Sequence, residues 1–129
     1  MASFTILVTS APLSEQNAYS AYRFTKAALT AQHKVKGIFF YENGTLNGSA
    51  LQVTSSDEFN LHQAWINLAE QYSLPLMVCV SAASRRGITN QQDAQESDQA
   101  HFSLSTQFDS VGLGELAQLI KQSDRLVQF

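Results

Sequence analysis

The sequence holds a single cysteine, Cys79, among 129 residues. One cysteine forms no intramolecular disulfide and cannot supply the set of thiolates that a structural zinc or iron–sulfur site needs. A reducing, cytoplasmic setting is the expectation, with no metal and no bound cofactor. Prolines number only two and glycines six. No linker, internal repeat or low-complexity tract interrupts the chain, so a single domain spanning residues 1–129 is expected. Basic residues are also few, eight Lys and Arg against eleven Asp and Glu, for a net charge of −3. None cluster into a run, which argues against direct nucleic-acid binding. No apolar stretch approaches the roughly 20 residues that cross a bilayer. The opening Met1-Ala2-Ser3-Phe4 lacks the basic and apolar regions of a signal peptide, so no membrane role is expected. Glycine-rich phosphate loops of the Gly-x-Gly-x-x-Gly or Gly-x-x-x-x-Gly-Lys-[Ser/Thr] type are missing too. Ser10-Ala-Pro-Leu-Ser14, the first turn, has no glycine that would let a backbone approach a pyrophosphate.

What the chain does contain is a regular alternation. Phe4–Thr9 is a short, β-branched apolar run of the kind buried on both faces of a parallel sheet. From Glu15 to Ala31 the period lengthens: Ala18, Ala21, Tyr22, Thr25, Ala28 and Leu29 share one helical face. Val35–Tyr41 reads as the second strand and runs into the turn-rich Glu42–Gly48 loop. Ser55-Ser-Asp-Glu58 has the pattern of a capping box. The helix it predicts extends to Tyr72, with Phe59, His62, Trp65, Ile66, Ala69 and Tyr72 facing inward and Pro75 marking the break. Leu76–Val80 is the third strand, followed by a short helical turn at Ser81–Gly87. Ile88–Ala100 is polar, with a helical piece at Gln91–Gln95, and His101–Thr106 has no clear pattern. Phe108–Val111 gives a fourth strand. Leu113, Leu116, Ala117 and Ile120 give a helix whose apolar face packs either on the sheet or on another subunit. Arg125–Phe129 closes as a fifth strand.

Strands alternating with helices call for parallel pairing with crossovers on both faces. The expected fold is therefore a three-layer α/β/α domain of flavodoxin-like type with a five-stranded, mainly parallel sheet. Sites in such sheets form beyond the carboxyl ends of the strands. That rule places Ser10–Ser14, Glu42–Gly48 and Cys79–Arg85 along one shared edge.

Cys79 is the one candidate nucleophile. It lies near the end of the third strand, ahead of a helical turn whose free N–H groups favour a thiolate, and Arg85 or Arg86 adds positive potential if either turns inward. Free cysteine is equally at home as a small core hydrophobe, and position alone leaves both readings open. His33, His62 and His101 come from separate segments without metal-ligand spacing; His62 falls on the inward face of its helix, as a packed or hydrogen-bonded histidine does. The acids Asp93, Glu96 and Asp98 read as exposed surface.

Several runs carry a resemblance. Phe39-Phe-Tyr41 with Gly44 and Asn47, Ser56-Asp-Glu-Phe59, Ala64-Trp65, Cys79-Val-Ser-Ala-Ala-Ser-Arg-Arg-Gly87, and the ending Gly112-Leu-Gly114, Asp124-Arg125 and Val127-Gln-Phe129 follow one another over nearly the whole chain. Together they resemble the TusD/DsrE family of sulfurtransferase subunits. The resemblance implies a DsrE-like α/β fold and assembly with TusB- and TusC-like subunits into a heterohexamer. It implies that Cys79 accepts a persulfide sulfur from a TusA-like donor and passes it to a TusE-like acceptor, in the relay that forms 2-thiouridine at the tRNA wobble position. A DsrE-like subunit of sulfur oxidation, serving a DsrC-like partner, is the alternative within the family. A non-catalytic assembly subunit with a buried Cys79 is the alternative outside it. Persulfide transfer resembles thiol–disulfide exchange, so a chain with one thiol must meet its second on another protein.

Overall fold

In the computed structural model, which describes all residues Met1–Phe129, five strands form one sheet. They are β1 (Ser3–Val8), β2 (Lys34–Phe40), β3 (Leu76–Cys79), β4 (Phe108–Val111) and β5 (Arg125–Gln128). The helices are α1 (Asn17–Thr30), α2 (Leu61–Tyr72), α3 (Val80–Arg85), α4 (Gln91–Glu96) and α5 (Leu113–Lys121), with a 3-10 helix at Glu42–Gly48. Every pairing is parallel. The strand order, which the sequence left open, is β4-β3-β2-β1-β5.

This order fixes the layers. Crossovers between parallel strands are right-handed. Steps from β1 to β4 all move the same way along the sheet, so their connections fall on one face. The step from β4 back to β5 runs the opposite way, which sends α5 to the other face. Side-chain alternation fills both sides. Ile6, Val8, Ile38, Phe40, Leu76, Val78 and Phe108 pack with Ala18 and Ala21 of α1 and Trp65 of α2 in the main core. Leu7, Phe39 and Cys79, their neighbours in sequence, point the other way and pack with Ala82 and Leu119. Trp65 is fully buried and meets Phe40 and Tyr22 edge-on.

Three local expectations are corrected. The helix after the second strand does not begin at Ser55–Glu58, which forms a turn closed by Glu58 N–H donating to Ser55 O. It begins at Leu61, capped by the Asn60 side chain accepting from Gln63 N–H at 3.0 Å. Phe59 thus lies outside the helix and packs against Tyr19 and Tyr22 from there, while Tyr72 is exposed. The Glu42–Gly48 loop is a 3-10 helix, and its Asn47 amide donates to Gly44 O and Ser10 O. In α5 the buried residue is Leu119, with Leu116 beside it, whereas Leu113, Ala117 and Ile120 are exposed. The helix is turned relative to its strongest apolar stripe.

Two interactions anchor the frame and can be tested. Gly44 lies so close to the end of β1 that a Cβ there would collide with the Val8 carbonyl. Backbone cannot yield as a side chain does. Gly44→Ala is therefore expected to cost about 3 kcal/mol, the upper end for overpacking, and to lower Tm by roughly 10 °C in a calorimetric scan.

At the opposite edge of the sheet, the Asp124 carboxylate accepts from Ser3 N–H at 2.9 Å, and Asp124 N–H donates to Ser3 Oγ at 2.9 Å. The hydrogen bond from the Ser3 backbone, aided by the Ser3 hydroxyl, holds the Asp124 carboxyl below its usual range. A lowered native value means stability that is full above the ordinary carboxylate range and is lost as pH falls through the native one. In urea titrations, the advantage of the wild type over Asp124→Asn should be small but present at neutral pH and vanish in strong acid. An advantage that persists undiminished in strong acid would rule the linkage out.

Candidate functional site

Cys79 is the last residue of β3 and the residue from which α3 starts. Its partner across the ladder is Val111, the last residue of β4. Beyond this pair the two chains part. After Cys79 the backbone enters α3 and a connection whose Ala83, Ile88 and Leu104 join the main core. After Val111 it turns through Gly112 into α5, on the opposite face. Neighbouring parallel strands whose continuations leave toward opposite faces open a crevice at their carboxyl ends, where ligands of α/β sheets bind. A hollow of about 300 Å³ lies there, lined by Tyr41, Cys79, Ser81, Arg85, Gly112 and Leu113 among others.

The thiol itself is well enclosed. Cys79 is 3% exposed and touches the small apolar cluster beneath α5. A reagent must therefore reach it through the hollow. The expected help from the helical turn takes a reduced form. α3 has only six residues, and no side-chain hydrogen bond caps it.

The two arginines divide their tasks. Arg86 is held: it donates to Ala82 O at 2.9 Å and to Asn43 Oδ1 at 3.0 Å, and pairs with Glu42 at 3.3 Å. It clamps α3 to the 3-10 helix. Arg85 forms no hydrogen bond or ion pair within the chain and is the charged residue lining the hollow.

The shared edge expected from the sequence is present, but only part of it meets Cys79. Ser10 is tied to Asn47, and Arg86 ties α3 to Glu42 and Asn43. Leu13 and Glu15, by contrast, border a separate hollow with Glu58 and Phe59. Tyr41, Gly112 and Leu113 were not singled out by the sequence as neighbours of the thiol. The available signal was positional: each follows the end of a strand next to β3, and a parallel sheet brings such residues to one edge.

The histidines lie apart from the thiol. His62 stacks on Phe108, with ring planes 6° apart. Its Nδ1 is 2.7 Å from Asn47 O and its Nε2 is 2.8 Å from Ser105 Oγ. A carbonyl can only accept, so Nδ1 carries a proton and donates to Asn47 O, while Nε2 shares a hydrogen bond with the Ser105 hydroxyl. The hydrogen-bonded inward histidine expected from the helical pattern is what the structure contains. His33 Nδ1 accepts from Ala2 N–H, and His101 is exposed. No helix is long and apolar enough to cross a membrane.

Comparison with known proteins places this geometry in a family. Residues 2–129 match the model of the DsrE/DsrF-like family. The chain is 42% identical over 126 residues to a protein of Vibrio cholerae named "Sulfurtransferase TusD homolog", covering 98% of this chain and 96% of that one. It is 44% identical over 126 residues to "Sulfurtransferase TusD" of Proteus mirabilis, covering 98% and 97%. With "Sulfurtransferase TusD" of Serratia proteamaculans it shares 41% identity over the full length of both. The crystal structure of the ychN protein from E. coli has the same fold, with a TM-score of 0.78 over both entire chains at 19% identity. A parallel five-stranded sheet with its lone thiol at the β3–β4 crevice, and a match along essentially every residue, identify the chain as a member of the DsrE/DsrF-like family.

Proposed function

We propose that this chain is a sulfur-transfer subunit that carries sulfur as a persulfide on Cys79. The observation that carries the reading is the position of the only thiol, at the crevice where β3 and β4 diverge and lining the hollow between α3 and the start of α5. Relatives at 41–44% identity over the whole chain bear the name sulfurtransferase, which supports the same chemistry here. In the transfer, the Cys79 thiolate attacks the outer sulfur of a donor persulfide. The bond from Cys79 to that sulfur forms as the donor's S–S bond breaks, and the donor leaves as a thiolate. No external oxidant or reductant is needed. Passing the sulfur on repeats the exchange with an acceptor thiol.

The same reading extends to partners and pathway. A TusA-like protein supplies the sulfur, a TusE-like protein receives it, and the final product is 2-thiouridine at the tRNA wobble position. TusB- and TusC-like subunits complete a heterohexamer, and the whole relay runs in the cytoplasm. The outward apolar residues of the α5 side, Leu113, Ile120 and Leu126, are exposed at 40–48% and suit subunit contacts.

One observation favours a second reading. The 3% exposure of Cys79 also fits a packed thiol in a non-catalytic assembly subunit. Intact-mass spectrometry separates the two. Incubation with a cysteine desulfurase and a sulfur carrier should add about 32 Da per sulfur to the wild-type chain, removable by dithiothreitol, and nothing to Cys79→Ser. A wild-type chain that gains no such mass, alone or assembled with its partners, would be the packed-thiol subunit.

A further inference from the structure

We propose that Arg85 is the positioning residue that holds negative charge at the Cys79 hollow. The inference rests on reading Cys79 as the sulfur-accepting residue, and names the group that makes the hollow hospitable to an anionic sulfur.

A persulfide is more acidic than a thiol, so the loaded cysteine and the incoming donor both bring negative charge to the crevice. Arg85 is the charged side chain among the hollow's lining residues. Its neighbour Arg86, which the sequence alone makes an equal candidate, is consumed by Glu42, Asn43 and the Ala82 carbonyl. Arg85 has no partner of its own, and nothing in the chain neutralises it. Its position follows from local geometry: it is the last residue of α3, the helix that starts directly from Cys79. Ala82 and Ala83 pack that helix against both cores, and the Arg86 clamp fixes its far end. A short helix held at three points carries Arg85 beside the hollow on a rigid support, while the guanidinium stays in solvent and free to approach an anion.

The test compares two alkylating agents of similar size on the full chain. Iodoacetate is an anion and iodoacetamide is neutral. Cys79 is the only thiol, so each adduct reports one site. The ratio of the two rate constants measures the local potential, and the neutral agent corrects for access and folding. In Arg85→Gln the ratio should fall about three- to five-fold, as expected for removing one solvent-screened charge at close range. Arg85→Lys should restore most of it. In the wild type, raising salt from about 10 mM to about 500 mM should erode the ratio toward the Gln value, because added salt screens an exposed charge. Persulfide loading from inorganic polysulfide should slow in parallel in Arg85→Gln and recover in Arg85→Lys. An unchanged ratio, or a Lys variant that behaves like Gln, overturns the proposal. If the wild type and Arg85→Gln load sulfur at equal rates, the role of Arg85 falls and the carrier reading stands. If Cys79 takes up no sulfur in any variant, the carrier reading falls and takes this inference with it.

Discussion

The divergence of two parallel neighbours at their carboxyl ends governs the rest of the molecule. β3 and β4 run side by side from Leu76–Phe108 to Cys79–Val111. Right-handed crossovers leave the chain no choice of exit. The connection after β3 covers the face shared with α1 and α2, and the connection after β4 must cross the other face to reach β5 beside β1. The hollow at Cys79 results from the sheet order. A different position for β5 would let α5 leave on the same side as α3, and the crevice would close.

Strand alternation then decides what the crevice contains. Val78 is fully buried in the main core. One residue on, the side chain must face the opposite way, so Cys79 falls on the side covered by α5, with only Ala82 of α3 beside it. A nine-residue helix is about 13 Å long, and five strands spaced about 4.8 Å apart are wider than its footprint. One helix cannot seal that face. Leu119 and Leu116 pack inward, and Leu126 on the edge strand stays exposed. The thiol is enclosed by the few apolar residues of this small cluster and borders the hollow at the end of the strand.

Much of this was legible in the sequence because it rests on short-range rules. The first three strands announce themselves as brief apolar runs, and Cys79 could be assigned to a carboxyl edge once the alternation implied a parallel sheet. The start of α2 was not legible. Ser55–Glu58 and Asn60–Gln63 both satisfy the grammar of a helix start. The choice between them is made by tertiary packing, since Phe59 is drawn against Tyr19 and Tyr22 and cannot also serve the helix face. The rotation of α5 was hidden for a similar reason. Leu113, Leu116, Ala117 and Ile120 form the better stripe, but Leu119 is the residue that meets Gly37, where the absence of a side chain leaves room. Composition also could not separate Arg85 from Arg86. Adjacent residues of one type acquired different roles only when Glu42 and Asn43, some forty positions away, claimed one of them.

That last distinction bears on how a single thiol would, in the proposed carrier, both receive sulfur and release it. A relay residue must not bind its cargo too firmly. A cation fixed in an ion pair beside the sulfur would hold one geometry, and a buried cation would cost several kcal/mol in desolvation. Arg85 avoids both constraints because its charge stays in water, where attraction to an anion is modest and screened. The apolar neighbours Leu7, Phe39 and Leu119 close the other side of the thiol, so approach is confined to the hollow. For the proposed carrier, a weak and screened attraction on the open side favours exchange over storage. The single cysteine completes the logic of the proposed carrier: with no second thiol in the chain to resolve a persulfide, sulfur loaded on Cys79 would stay there until another protein's thiol entered the hollow.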